Sequence, residues 1–247
     1  MNDISNILVM ENHGEQFRIS RLGGIKLFSD FERVLKENGH RFKSFKKGSI
    51  TGPDLKGYDI AVIGLGLKDI RPGEIQSLTD FVSEGGGLFI IGGVNYSPSL
   101  GKSYDLERLN SLAPQFGITF KHEPIEAGKN HMKETTKFIK ERHVQSVPLI
   151  TKFAPHPIVA GISELIYLGV PLEIAGEVQA IAISDEDTTP PNCVVLAAVQ
   201  YGTGKVVAIG SPNVFLRMSL MKISMPFGMA KPDHIILAVN IIKWLGQ

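Results

Sequence analysis

Seven histidines and one cysteine bound the chemistry this chain can perform. None of His13, His40, His122, His131, His143, His156 and His234 stands in the helical pairing of a zinc site, so no metal is expected. His122, Glu123 and Glu126 share a charged segment and read as a solvated face. His156, between Pro155 and Pro157, reads as a turn residue. Cys193 is the single thiol, so no intramolecular disulfide framework can form. It opens the β-type run CVVLAAV and does not sit at a strand-to-helix turn, which predicts a buried, inert small hydrophobe.

Two glycine motifs invite a nucleotide and then decline it. Gly202-Thr203-Gly204-Lys205 lacks the earlier glycine of a phosphate loop, and Val206 stands where Ser or Thr should follow the lysine. It predicts a hairpin turn. Gly64-Leu65-Gly66 has no third glycine at the dinucleotide spacing. No cofactor is expected. Glu11-Asn12-His13-Gly14-Glu15 is of another kind, because it follows an apolar run at the place where an open parallel sheet presents its ligand crevice. It reads either as a pocket wall or as an ordinary polar loop.

The elements that would position these residues alternate. Asn6–Glu11, His40–Phe45, Tyr58–Gly64 and Leu88–Ile91 read as strands. Between them, Leu27, Phe28, Phe31, Val34 and Leu35 recur at helical spacing up to Asn38-Gly39. Pro72 opens a second helix with Ile75, Leu78, Phe81 and Val82 on one face. Asp105 reads as the cap of a third, carrying Leu106, Leu109 and Leu112. That alternation predicts an open parallel sheet covered on both faces. Gln179–Ser184, Cys193–Tyr201 and Lys205–Gly210 add an antiparallel edge, and Ile235–Leu245 closes as an amphipathic helix. Residues 1–247 therefore read as one α/β domain, with a charged insertion or exposed helix over Lys121–Ser146.

Composition narrows the partners. With 43% hydrophobic residues among 247, the chain can bury a core and is not of the disordered class. Twenty-six basic side chains against twenty-five acidic ones leave a net charge of +1, so no nucleic-acid partner is expected. No apolar run approaches the roughly 20 residues that span a bilayer, and residues 1–6 carry no basic start or apolar stretch of a signal peptide. The expectation is a cytoplasmic protein without membrane insertion.

Several segments together resemble a known family. Ile7–Gly14, Tyr58–Ile63, Ile75–Ile91, His156-Pro157-Ile158 with Gly161, Tyr201–Val207 and Asn240–Leu245 match, in order, landmarks of the class I glutamine amidotransferase-like superfamily. The closest branch is the one found in an intraflagellar-transport complex B subunit and in gliding-motility or transport-associated proteins. The resemblance implies a flavodoxin-like three-layer sandwich. Its catalytic members carry a cysteine at an elbow after the fourth strand and a histidine at the end of a late strand. Here Val94 and Ser211 occupy those places, and Asn213 takes that of the acidic partner. Valine cannot attack and serine is no base at neutral pH. The resemblance therefore implies a non-catalytic domain that binds a small ligand or a partner protein in a crevice of Glu11, His13, Gly14, Asn95, Tyr96, Ser97, Ser211 and Asn213. A hydrolase using Ser97 and His13 is the competing reading. A third, an assembly module, rests on Phe215–Met229, where Leu216, Met218, Leu220, Met221, Ile223, Met225, Phe227 and Met229 crowd together and predict a homodimer contact.

Overall fold

In the computed structural model, residues 4–20, 28–94, 104–132, 147–217, 219–220, 223–224 and 228–247 are described, with 219–220 and 223–224 as backbone only. The runs expected to be buried on both faces become the centre of the sheet. β1 (Asn6–Met10), β2 (Arg41–Phe45), β3 (Ile60–Gly64) and β4 (Gly87–Ile91) lie parallel in the order β2-β1-β3-β4. Successive side chains of a strand point to opposite faces. Ile7, Val9, Ile60, Val62, Phe89 and Ile91 accordingly enter one core, and Leu8, Met10, Ala61, Ile63, Leu88 and Ile90 the other. Helices cover both faces, as the alternation required. The first core takes Phe31, Val34 and Leu35 of α1 (Ser29–Glu37), and the second takes Leu78 and Val82 of α3 (Pro72–Ser83). The short α2 (Gly52–Leu55) contributes Leu55 to the second core.

Beyond β4 the chain departs from simple alternation. The expected helix from Leu106 to Leu112 is shorter than its apolar spacing suggests. α4 spans Glu107–Asn110, and a 3-10 turn follows over Ala113–Phe116. Pro114 explains the break, since it has no N–H to offer the Asn110 carbonyl. The described part of Lys121–Ser146, residues 121–132, is not helical. It runs beside distant segments through bridges between Glu126 and Thr189 and between His131 and Pro148. Residues 133–146 lie outside the described ones.

The sheet is completed by short strands. β5 (Ile118–Phe120), β7 (Lys152–Phe153), β9 (Leu172–Ile174) and β10 (Gln179–Ile183) precede the long pair β11 (Val194–Tyr201) and β12 (Gly204–Ile209), while β6 (Leu149–Ile150) and β8 (Leu165–Ile166) pair as a separate ribbon. β12 is parallel to β4, whereas β11, β10 and β7 follow it antiparallel. The antiparallel edge is thus present. The motif read as a hairpin turn is one, with Tyr201 opposite Gly204 and Gly202 at φ +59°, a left-handed conformation that glycine adopts without strain. β13 (Ser219–Leu220) and β14 (Ile223–Ser224) pair as a small ribbon. The last helix, α5 (Pro232–Leu245), buries Leu237, Ala238, Ile241, Ile242 and Leu245 in the first core.

Among the described residues, no helix is long and apolar enough to cross a membrane. Of the apolar run Phe215–Met229, Phe215, Leu216 and Met229 are buried in the protein's own core. The side chains of residues 218–227, on which the dimer contact was expected, lie outside the described ones.

Candidate functional site at the carboxyl end of the sheet

Parallel strands all end on one side, and loops leaving that side meet there. β1 is followed by Glu11–Phe17, β3 by Gly64-Leu65-Gly66, β4 by Gly92-Gly93-Val94 and β12 by Gly210–Asn213. Gly14, at φ +75°, turns the first loop sharply after His13. The Leu67 and Lys68 N–H groups then bond the His13 carbonyl at 2.8 and 3.1 Å, locking that loop onto the end of β3.

His13 is the centre of a buried ionic cluster. Its Nδ1 lies 3.1 Å from Glu15 Oε1, and its Nε2 lies 3.2 Å from Glu74 Oε2. The three residues are 5%, 0% and 2% exposed, which leaves almost no water to share the charge. Burial pulls the His13 pKa down, but the hydrogen bonds and charges of Glu15 and then Glu74 outweigh it, and the net shift is upward. For Glu74, burial pushes up, while the N–H groups of Arg71 and Ile50 and the His13 ring prevail and hold it below the usual carboxylate value. An imidazolium donating from both nitrogens fits both carboxylates.

Glu74 is fixed by helix-start chemistry. Pro72 occupies the first turn of α3, and Glu74 reaches back to accept the Arg71 N–H at 3.0 Å. Its other oxygen accepts the Ile50 N–H at 3.0 Å and the Asn12 side-chain amide at 3.2 Å. Asn12 also donates to the Gly48 carbonyl at 3.0 Å. Glu15 stands out in the sequence only as part of the Glu11–Glu15 loop, and Glu74 does not stand out as a site residue. The signal for Glu74 was the Pro at the start of its helix with a Glu two residues on, which marks an acceptor folded back over the helix entry.

The other residues expected in a crevice are engaged singly. Glu11 Oε1 accepts the N–H groups of Ile19 and Ser20 at 2.9 and 3.0 Å and the Ser44 hydroxyl at 3.0 Å, while Oε2 takes the Ser20 hydroxyl. Ser211 is fully buried, and both its hydroxyl and the Asn213 amide donate to the Leu168 carbonyl, at 2.7 and 3.1 Å. Val94 is half-buried, and its carbonyl accepts the Gln16 side chain at 3.4 Å. Asn95, Tyr96 and Ser97 lie outside the described residues. The structure therefore brings His13 together with Glu15 and Glu74, and sets Glu11 and the Ser211–Asn213 pair in separate networks.

Glycine makes this end dense. A Cβ on Gly64 would stand 2.9 Å from Phe17 Cβ, one on Gly66 3.0 Å from His13 Cβ, and one on Gly93 2.8 Å from Pro212 Cδ. The separations at Gly64 and Gly93 are too short for two carbon atoms and that at Gly66 could be met only if His13 shifted, so the loops pack this closely because those positions lack side chains. As a chemical device the cluster is closed. A general base needs one ring nitrogen free toward a substrate, and both nitrogens of His13 already face carboxylates.

The remaining sites of interest are less connected. Cys193 is half-buried where full burial was expected, and its Sγ donates to the Pro190 carbonyl at 3.5 Å. Burial raises its pKa above the usual thiol value, so the thiolate nucleophile is disfavoured. His122 is exposed and bonds Glu107 at 2.7 Å. His156 caps a short 3-10 turn by accepting the Ile158 N–H at 3.2 Å, in keeping with a turn residue. Among the described residues, no three His, Cys, Asp or Glu side chains are grouped to hold a metal ion.

No family model and no curated protein matches the chain. Its fold does match solved structures. The mmIFT52 N-terminal domain superposes with a TM-score of 0.74 at 17% identity, covering 98% of this chain and 97% of that one. A cytoplasmic protein from Salmonella typhimurium LT2 follows at 0.62 and 15%, over 97% and 98%. A ThuA-like protein from Parabacteroides merdae matches at 0.58 and 12%, over 99% and 90%. The class defined by the sheet and its helices is the flavodoxin-like, class I glutamine amidotransferase-like fold. At these identities the likeness is one of fold.

Proposed function

We propose that this chain is a non-catalytic amidotransferase-like domain whose work is to bind another protein within an assembly. The observation that carries the reading is His13, whose two nitrogens both face buried carboxylates of its own chain, at 3.1 and 3.2 Å. A catalytic histidine held in this way has no lone pair for a substrate proton. Val94 and Ser211, standing where the resemblance places nucleophile and base, point the same way. So does the locked state of Ser211 and Asn213, which share one carbonyl instead of facing a ligand. The likeness to the mmIFT52 N-terminal domain, named as one part of a larger protein, supports an assembly role.

The test is a screen of ester, amide and glutamine substrates together with labelling by a glutamine-analogue electrophile. The expected result is no turnover and no rapid labelling of Cys193. Turnover in the parent that is lost in both His13→Ala and Ser97→Ala would overturn the reading in favour of a hydrolase.

A further inference from the structure

The amino end of the same sheet is open where the carboxyl end is filled. Between α2, the C-terminal end of α3 and the C-terminal end of α5 lies a groove of about 880 Å³. Its apolar lining includes Tyr58 and Phe81, both half-buried, together with the buried Leu55 and Leu245. The Phe81 ring abuts Gly86, where any Cβ would overlap it, and it packs on the edge of the second core while still lining the groove.

The rim is negative. Asp59, Asp80 and Glu84 line it and are exposed, with Lys56 as the one opposing charge among the lining residues. Among the described residues, none of the three carboxylates is held in an ion pair. Asp59 accepts the Asn6 N–H at 2.7 Å and Asp80 accepts the Gln76 amide at 2.7 Å, bonds that orient the carboxylates without neutralising them. Two helices of twelve and fourteen residues also end at the groove, and the C-terminal end of a helix carries partial negative charge. Aromatic floor, unpaired carboxylates and two helix ends together favour an occupant that is apolar on one side and cationic on the other.

We infer that this groove docks a short segment of a partner protein in which large apolar residues alternate with lysine or arginine. The apolar residues rest on Tyr58 and Phe81, and the cations face Asp59, Asp80 and Glu84. The inference rests on reading the chain as a protein-binding domain and adds to it the place and the chemistry of the partner. A cation at such a rim contributes more to encounter rate and selectivity than to raw affinity, whereas the aromatic floor supplies the anchor.

The test uses the whole chain and a fluorescein-labelled peptide of alternating leucine and lysine, followed by anisotropy. Binding is expected, weakening as salt rises. In the Asp80→Lys, Glu84→Lys double variant the affinity is expected to fall about tenfold, since two attractive charges become repulsive. These changes place lysines in or next to the last turn of α3, where cations suit the helix end, so the fold is kept. The same charge change at the exposed Glu123 and Glu173 should leave affinity unaltered, and a leucine–glutamate peptide should not bind. Absence of binding, equal loss in the Glu123 and Glu173 variant, or equal binding of the acidic peptide would each overturn the inference. Any of these leaves the non-catalytic reading standing, because that reading fails only on turnover.

Discussion

The two ends of the sheet hold their ionisable groups in opposite ways, although glycine allows close packing at both. At the carboxyl end, Gly64 and Gly66 let Phe17 and His13 approach so closely that added Cβ atoms would stand 2.9 and 3.0 Å from them. At the amino end, a Cβ on Gly86 would overlap the Phe81 ring, whereas one on Gly52, which also borders the groove, would meet nothing within 4 Å. The ionisable groups are what divide the two ends. His13, Glu15 and Glu74 satisfy one another out of water, while Asp59, Asp80 and Glu84 stand exposed. Open α/β sheets ordinarily bind ligands beyond the carboxyl ends of their strands. Here the described part of that crevice is spent on internal cohesion, and open, charged surface is found at the other end. The comparison teaches that position in a fold does not assign a site; the unsatisfied chemistry does.

The sharpest way to break that contrast is to remove one carboxylate from each end. Glu74→Ala removes one of the two carboxylates that hold the His13 imidazolium and leaves the buried Ile50 N–H without its acceptor, so urea unfolding should show a loss of about 3–5 kcal/mol. Asp80→Ala removes an exposed charge and should change stability by no more than about 0.5 kcal/mol. Similar losses from both would mean that the buried cluster is no more cohesive than the rim.

Acid offers a second contrast. His234 is 1% exposed and accepts the Ile166 N–H at 3.0 Å. Burial, only partly offset by backbone groups of Gly228 and Val214, lowers its pKa to about 4 from 6.5. The unfolded chain therefore binds a proton that the folded one refuses. Its contribution is complete above about pH 6.5 and is lost as pH falls toward 4, a change of about 3 kcal/mol. His13 has the opposite sign: its pKa is raised, so its contribution holds below 6.5 and fades as pH rises through the folded value. Urea midpoints across this range should fall toward acid in the parent and flatten on that side in His234→Gln. A parent profile flat from pH 6.5 to 4 would refute the assignment.

How much of this was legible in the residues depends on the range of the interaction. β1, β3 and β4 were readable as continuous apolar runs because both faces of a central parallel strand are covered. The helix after Asp105 was over-read because Leu106, Leu109 and Leu112 keep helical spacing although Pro114 ends the hydrogen-bond ladder. His13 stood out at the end of β1, but its meaning did not, since Glu74 lies 61 residues away and its packing against His13 follows from the β1–β3 pairing. The groove was invisible for the same reason: Tyr58, Phe81 and Leu245 belong to three elements that meet only in the folded chain.

Smaller effects come from the glycines themselves. Gly64→Ala forces a Cβ against Phe17 Cβ and its backbone nitrogen, 2.9 and 3.3 Å away, and should destabilise by about 1–3 kcal/mol. Gly52→Ala meets open space and should stabilise by about 0.4–1 kcal/mol through the unfolded chain. Thermal unfolding of the two variants reads the difference in sign. The same sign in both would show that the room around a glycine does not decide the effect of an added Cβ.

The smallest effect is spectroscopic and confined to the amino end. Trp244, the single tryptophan, stands beside the His156 ring at a centroid distance of 5.2 Å, tilted by 62°. Lys205 Nζ lies 5.1 Å above the indole and donates to the Trp244 carbonyl at 3.1 Å. Desolvation, followed by the Lys205 charge, holds the His156 pKa below the usual histidine value. Protonating an imidazole at this distance places a second cation at the indole face and should dim its fluorescence. The dimming should therefore run to completion below pH 6.5, with a midpoint lower than that of an exposed histidine. His156→Gln should abolish the transition while leaving the fold intact, because an amide oxygen can accept the Ile158 N–H in the ring's place. Lys205→Met should move the midpoint upward by removing the repelling charge. A transition that persists in His156→Gln would mean that Trp244 reports the titration of another group, and the assignment to His156 would fall.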